Sequence, residues 1–376
     1  MDQFVADGAT EIASRAQREL EALVGVSSPS GDVAGAEEAI ALCAAFLPPQ
    51  VEIERVPCST PGSADDMVAR IAGQGSRRLL LLGHLDTVIE HSSHAPLRRD
   101  GDRLYGPGTV DMKGGVVLSL GVARALATRP DTFAEMAVLL VTDEEWRRHE
   151  FVHVNTFSSY DACLCFEGGQ LAPDGEEAVV VHRKAAGTMQ VVATGRASHS
   201  GSAPDRGRNA LLALAATAID VARHHDPGGA ERLSVVPTVV RSGDAFNVVP
   251  AEGELLCDMR ADRSEAFEAV CAAVPADLDG VGLETKMLRI WPGMDSRQAT
   301  RGLLERAGAR IDRPIIGCPR GGASDASHFA PMIPLTVDGL GPRGGGAHTP
   351  EEFVHAPSLR ERAAVALAVA SAVLDP

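Results

Sequence analysis

Three short apolar runs in this 376-residue chain are each followed at once by groups that can hold a metal ion or move a proton. Leu79-Leu80-Leu81-Leu82-Gly83 leads into His84-Leu85-Asp86. Ala137-Val138-Leu139-Leu140-Val141-Thr142 leads into Asp143-Glu144-Glu145, and Ala162-Cys163-Leu164-Cys165-Phe166 leads into Glu167. A glycine-rich turn, Gly106-Pro107-Gly108-Thr109-Val110-Asp111-Met112-Lys113-Gly114-Gly115, adds Asp111, and Gly344-Gly345-Gly346-Ala347-His348-Thr349-Pro350 adds a second histidine. Imidazole nitrogens mixed with carboxylate oxygens form the shell of a zinc-type site. A carboxylate two residues beyond a histidine can hold the other ring nitrogen and fix its tautomer. In the Glu144-Glu145 doublet one carboxylate can bind metal while its neighbour takes a proton from activated water, as hydrolysis requires. Any one of these groups is a common solvated turn; their joint order is not.

The elements that must position these groups follow from the same runs. Short apolar stretches bounded by breakers read as strands buried on both faces. Helical spacing over 9–24, 33–47 and 116–126 alternates with them, which implies an α/β sheet covered on both sides. Open α/β sheets bind ligands at the carboxyl ends of their strands, where these residues fall. From about residue 183 the texture changes. More exposed strands at 188–194, 234–241 and 253–259, with helices at 209–224 and 263–274, suit a small two-layer α+β domain. After Trp291-Pro292 the α/β texture returns, with a helix around Arg301, a strand at 334–337 and a terminal helix over 358–374. The expected organisation is a catalytic α/β domain in two parts, residues 1–182 and 292–376, with residues 183–291 inserted between them.

Composition narrows the function classes. A net charge of −16 disfavours nucleic acid or an anionic membrane as the main partner. The only lysines are Lys113, Lys184 and Lys286, so nearly all positive charge is arginine. Seven scattered cysteines read as reduced packing thiols, and Cys163 and Cys165 share one strand face as core. The first residues lack the basic and apolar regions of a secretory signal, and no apolar run reaches the length of a membrane span. A soluble cytoplasmic protein is expected. His91 and His94 fall in a loop expected to be solvated surface. His149-Glu150-Phe151-Val152-His153 matches H-E-x-x-H, which on a helix would place two imidazoles on one face. Its flanks and the lack of a third downstream ligand favour a polar helix start instead.

Taken in order, the motifs resemble the co-catalytic di-zinc metallopeptidases that include glutamate carboxypeptidase, aminoacylase, acetylornithine deacetylase and succinyl-diaminopimelate desuccinylase. The carrying residues are Gly83-His84-Leu85-Asp86-Thr87-Val88, Tyr105-Gly106-Pro107-Gly108 through Asp111-Met112-Lys113-Gly114-Gly115, Thr142-Asp143-Glu144-Glu145 and Phe166-Glu167-Gly168. Gly195-Arg196-Ala197-Ser198-His199-Ser200-Gly201, Asn247-Val248-Val249-Pro250 and the 345–351 run continue the series. The resemblance implies a zinc-exopeptidase-like catalytic domain with an inserted ferredoxin-like lid that also makes a homodimer. It implies two Zn2+, for which Co2+ or Mn2+ would substitute in the same shell. His84 and Glu167 would bind one metal, Glu145 and His348 the other, and Asp111 would bridge them. Asp86 would orient His84, and Glu144 would be the general base. The peptide after Asp111 would be cis. His199 would reach the neighbouring subunit's site and polarise the carbonyl. Asn247 and Arg260 would hold the scissile group and the substrate carboxylate, with Gly322 in the 321–326 loop and Arg343 as further contacts.

The implied activity is hydrolysis of an amide in a small N-acyl amino acid or dipeptide-like substrate with a free carboxylate. Two other readings stay open: the same di-metal site acting on another C–N bond, in the deaminase or amidinohydrolase manner, and a non-catalytic metal-dependent binder. Intact Glu144 and His199 weigh against the binder. Two departures bear on specificity. Trp146-Arg147-Arg148 replaces the small Gly-Ser pair of many relatives; the bulkier, cationic stretch would either narrow the cleft or touch substrate, or form an exposed helix face, and the exposed face is the expected reading. Trp291 stands where glutamate-cleaving relatives carry a basic residue, which would favour an apolar or aromatic side chain.

Overall fold

In a computed structural model of the chain, which describes residues 1–375, the leucine run becomes the strand Arg78–His84. It lies between the strands Glu135–Val141 and Ala162–Cys165, parallel to both, and Leu335–Val337 continues the parallel set beyond Ala162–Cys165. Asp66–Ala72 and Glu52–Val56 extend the opposite edge with antiparallel pairing. Leu79 to Leu82 are fully buried, as a central parallel strand requires. The helices Gln3–Gly25, Lys113–Ala127, Arg297–Arg310 and Ala356–Leu374 pack together as the covering layer. The last of these is apolar nearly all round and buried nearly all round. Because the three central strands run the same way, His84, Asp143–Glu145 and Glu167 leave the sheet at one edge.

Two further features bring the remaining residues to that edge. The hairpin of Gly344–Gly345 and Phe353–His355 pairs with Arg103–Tyr105, so the turn carrying His348 sits on the strand that feeds the Asp111 turn. At the start of the helix Lys113–Ala127, a Cβ on Gly115 would lie 1.7 Å from the carbonyl oxygen of Phe166. Only glycine lets this helix start press against the strand end that bears Glu167.

The chain divides into two compact units, the first comprising residues 1–182, 295–320 and those from 324 onward, the second residues 183–294 and 321–323. The second unit holds a five-stranded antiparallel sheet in the order Ser234–Ser242, Glu252–Ala261, Ala185–Thr194, Val281–Trp291, Asp277–Leu278. The helices Ala210–Ala222 and Ala266–Ala273 join its strands in a strand–helix–strand–strand–helix–strand succession. Alternating burial along Glu252–Ala261 gives the sheet one core face, where Met189, Val191, Leu214, Met259 and Phe267 meet. The Asn209 side chain caps the first helix through the N–H of Leu212.

Three sequence expectations are corrected here. Trp291 is 2% exposed, with the Arg289 guanidinium 4.6 Å from its ring centroid, so its indole offers no surface to a substrate. Residues 146–149 form no helix face: Glu144–Trp146 is a turn, and Arg147 is buried against Asp143 (3.2 Å) and Asp325 (2.8 Å). Residues 149–153 are not helical either, the nearest helix being Val154–Phe157. His153 turns inward to Asp66, 2.7 Å away, which leaves no paired imidazoles for a zincin site.

Candidate metal centre

His84 closes its strand with both ring nitrogens engaged. Nδ1 lies 3.1 Å from the backbone oxygen of Asp86, which can only accept, so Nδ1 carries the proton and Nε2 is left as the metal-facing atom. Nε2 lies 3.2 Å from one carboxylate oxygen of Asp111 and 3.7 Å from Glu167. The other oxygen of Asp111 lies 3.1 Å from Nε2 of His348, which in turn lies 3.1 Å from Glu145. Asp111 therefore stands between two donor groups, His84–Asp111–Glu167 and Asp111–Glu145–His348, in each of which the donor atoms lie within 4.8 Å of one another. The Asp111–Met112 peptide is cis.

The surroundings hold these donors still. The Asp86 carboxylate accepts the backbone N–H groups of Glu144 and Glu145, each at 3.1 Å, and the hydroxyl of Ser30 at 2.5 Å. Glu352, 2% exposed, accepts the N–H groups of Gly108 (3.0 Å), Val110 (2.8 Å) and Asp111 (2.9 Å). It belongs to the same loop as His348, whose φ of +66° is a left-handed conformation that costs a non-glycine residue of order 1 kcal/mol. Lys113 is buried with its ammonium 2.7 Å from the carbonyl of Val26.

The charge balance favours a cation. Burial pushes the Glu144 carboxyl well up, with Asp325, Glu167 and Glu145 adding to the shift and His84 opposing it. Burial also raises Glu145, against its bond to His348. For Asp111 burial acts upward but is outweighed by the hydrogen bonds of His348 and His84, which hold it well below the usual carboxylate range. Those to Asp111 and Glu145 lift His348 to about 10. Burial would lower His84, yet its bonds to Asp111 and Asp86 keep it well above the ordinary value. Protons on two imidazoles offset a cluster of carboxylates. A shared carboxylate, flanking N and O donors and oriented rings fit a pair of divalent cations in their place.

The other expected site residues fall elsewhere. His199 and Asn247 lie in the second unit on a short ribbon, Ser198–His199 paired with Val248–Val249, and the N–H of Ser200 donates to the carbonyl of Asn247 at 3.0 Å. Nδ1 of His199 accepts the N–H groups of Gly201 (3.1 Å) and Ser202 (3.2 Å), which places its proton on Nε2 as an outward donor. Arg260, in the same unit, is held by Asp258 through two bonds of 3.0 Å. The carbonyl of Gly322 accepts from Arg183 at 2.7 Å. Arg343, in the first unit, is paired with Glu177 and Glu361, so a substrate carboxylate would compete with two existing partners.

The residues 80–372 match Peptidase family M20/M25/M40. The chain belongs to this family. It is 28% identical to carboxypeptidase G2 of Pseudomonas sp. strain RS-16, over 96% of this chain and 90% of that protein. It is 28% identical to the succinyl-diaminopimelate desuccinylase of Methylococcus capsulatus, over 78% of this chain and 82% of the relative. Its fold matches that of an M20 family metallo-carboxypeptidase from Sulfolobus solfataricus, with TM-score 0.74 at 15% identity over 96% of this chain and 99% of the other. It also matches a dinuclear metal-binding M20 peptidase from Bacillus subtilis, with TM-score 0.72 at 16% identity over 97% and 99%. The chain is thus a hydrolase of the M20 type with residues that could hold divalent metal.

Two contributors escaped the sequence reading of this M20 chain. Glu352 follows Glu351 and looks like half of a solvated acidic pair; only the position of His348 four residues earlier hinted at a role. Arg147 reads as surface charge until Asp325, 178 residues away, is seen to bind it.

Proposed function

We propose that this M20 chain is a di-zinc amidohydrolase that cleaves a small N-acyl amino acid or dipeptide-like substrate bearing a free carboxylate. The observation that carries the reading is the Asp111 carboxylate, set between His84 and His348 with the buried Glu144 beside them. His84 and Glu167 would hold one zinc, Glu145 and His348 the other, with Asp111 shared. The metals supply Lewis acidity toward a water and the substrate carbonyl. Glu144, its backbone fixed by Asp86, takes a proton from the attacking water and hands it to the leaving nitrogen. Burial raises this carboxyl above the ordinary glutamate value, which strengthens it as a proton acceptor.

His199 donates from Nε2 to the oxygen that gains negative charge at the carbonyl. Asn247 and Arg260, with Gly322 and Arg343, receive the substrate's polar groups and carboxylate. The homodimer forms through the second unit, where Leu212 and Ile219 are more than half exposed on the helix Ala210–Ala222 and Ser234–Ser242 is an edge strand. His199 then acts across the dimer.

The test is a hydrolysis screen of zinc-loaded protein with N-acyl amino acids and dipeptides, matched to analogues whose carboxylate is amidated. Release of free amino acid from the acids alone supports the reading. Ammonia release from amidines, with no amide cleaved, would replace it with the other C–N chemistry.

A further inference from the structure

We propose that Trp146 determines specificity, as an aromatic platform beside the metal centre for an aromatic or large apolar group of the substrate. The inference rests on the amidohydrolase reading above and adds the class of side chain or acyl group preferred. Trp146 directly follows Glu145, and consecutive Cα atoms lie about 3.8 Å apart, so the indole starts one residue from a metal-facing carboxylate. It is 52% exposed.

That exposure is enforced on both sides. Asp86 holds the N–H groups of Glu144 and Glu145. On the other side Arg147, 1% exposed, is clamped by Asp143 and Asp325 and lies 4.5 Å from the ring centroid of Phe151. These anchors fix the turn on both sides of Trp146, and a large apolar surface one residue from Glu145 is left half in water. The same clamp decides the charge question. The guanidinium of Arg147 is matched by two aspartates, so Trp146-Arg147-Arg148 presents an indole and one arginine, not a two-cation cradle for an anionic side chain. An indole recognises aromatic and apolar groups through offset stacking and buried area. Trp291, buried elsewhere, cannot substitute for it.

The chain has two tryptophans, one of them buried, so collisional quenching by acrylamide reports Trp146. The experiment compares zinc-loaded Glu144→Gln protein with N-acetyl-L-phenylalanine, N-acetyl-L-alanine or N-acetyl-L-glutamate added. It also measures kcat/KM for the same three amides in wild type, Trp146→Ala, Trp146→Leu and Trp146→Phe. We expect N-acetylphenylalanine alone to shield the indole from acrylamide. Trp146→Ala should shrink the phenylalanine-to-alanine ratio of kcat/KM by roughly tenfold, mainly through KM, and Trp146→Phe should keep most of it. Trp146→Leu reads the same ratio if the alanine variant folds poorly. Unchanged ratios in the variants with no shielding would overturn the inference while leaving the hydrolase reading intact. If the wild type cleaves none of the three, N-acetyl amino acids are not its substrates, and shielding by N-acetylphenylalanine alone still decides the role of Trp146.

Discussion

Glu352 and Asp111 are joined by a hydrogen bond of 2.9 Å from the backbone N–H of Asp111 to the Glu352 carboxylate. With the bonds to Gly108 and Val110, this ties the turn bearing the shared carboxylate to the loop bearing His348. The two sides of the Asp111–Glu145–His348 donor group are thereby held by a single buried side chain, 241 residues distant in sequence from Asp111.

Glu352→Gln leaves a carboxamide whose amino group faces backbone donors in place of an acceptor. Charge-assisted bonds of this kind contribute about 1.5–3 kcal/mol each when broken singly. We expect zinc affinity to fall about 10- to 100-fold, as removal of groups behind metal ligands does elsewhere. Chelator competition measures it; an unchanged affinity would mean that Asp111 is placed without Glu352.

Asp86→Ala removes the acceptor for two N–H groups and, together with it, the carboxylate oxygen 3.3 Å from Nδ1 of His84. Both the ring and the base-bearing turn lose their register, so kcat should fall about 100-fold with little change in KM. Steady-state kinetics on the best substrate of the screen decides this. A rise in KM at constant kcat would assign Asp86 to substrate binding instead.

Metal-free protein should lose stability as the pH rises. The folded value of His348 is about 10, raised by its bonds to Asp111 and Glu145 from 6.5. A raised histidine stabilises fully below its unfolded value and loses that contribution as pH climbs through the folded one. Glu352, lifted by burial to about 7 despite its three backbone donors, acts with the same sign from about 4.5 upward. The melting temperature of metal-free protein should therefore decline from pH 6.5 to 8, above which Lys113, lowered by burial to about 8, begins to act with the opposite sign. The gain on adding zinc should grow over that interval, because the metal would displace the proton of His348. A melting temperature that rises across it would contradict the charge balance described.

Strand ends were legible because short apolar runs flanked by breakers leave few alternatives. The expected strand at 79–83 became Arg78–His84, and the run from Ala162 ends in Glu167 as the spacing required. Elements whose burial depends on distant partners were not legible. Glu177–Arg183 was missed; its Glu177 is buried only because Arg362, Arg343 and Arg313 reach it. Arg147 and Trp291 failed for the same reason, since a neighbour far along the chain decides whether a large polar or aromatic side chain faces water.

The proposed dimerisation through the second unit makes two linked predictions. Leu212→Asp should yield a monomer in sedimentation. Mixing Glu144→Ala chains with His199→Ala chains should restore about a quarter of wild-type activity, since in a two-fold dimer one site in each mixed pair is complete. No recovery from mixed dimers would place His199 in its own chain's site.

The central claim, a shared-carboxylate metal pair with Glu144 as base, is tested most directly by counting zinc per chain. Elemental analysis would be run on wild type, Glu144→Ala and Asp111→Ala, with hydrolysis measured alongside. The account predicts two zincs and full activity in wild type, and two zincs without activity in Glu144→Ala. It predicts fewer than two in Asp111→Ala. Two zincs retained without Asp111, or activity retained without Glu144, would contradict it.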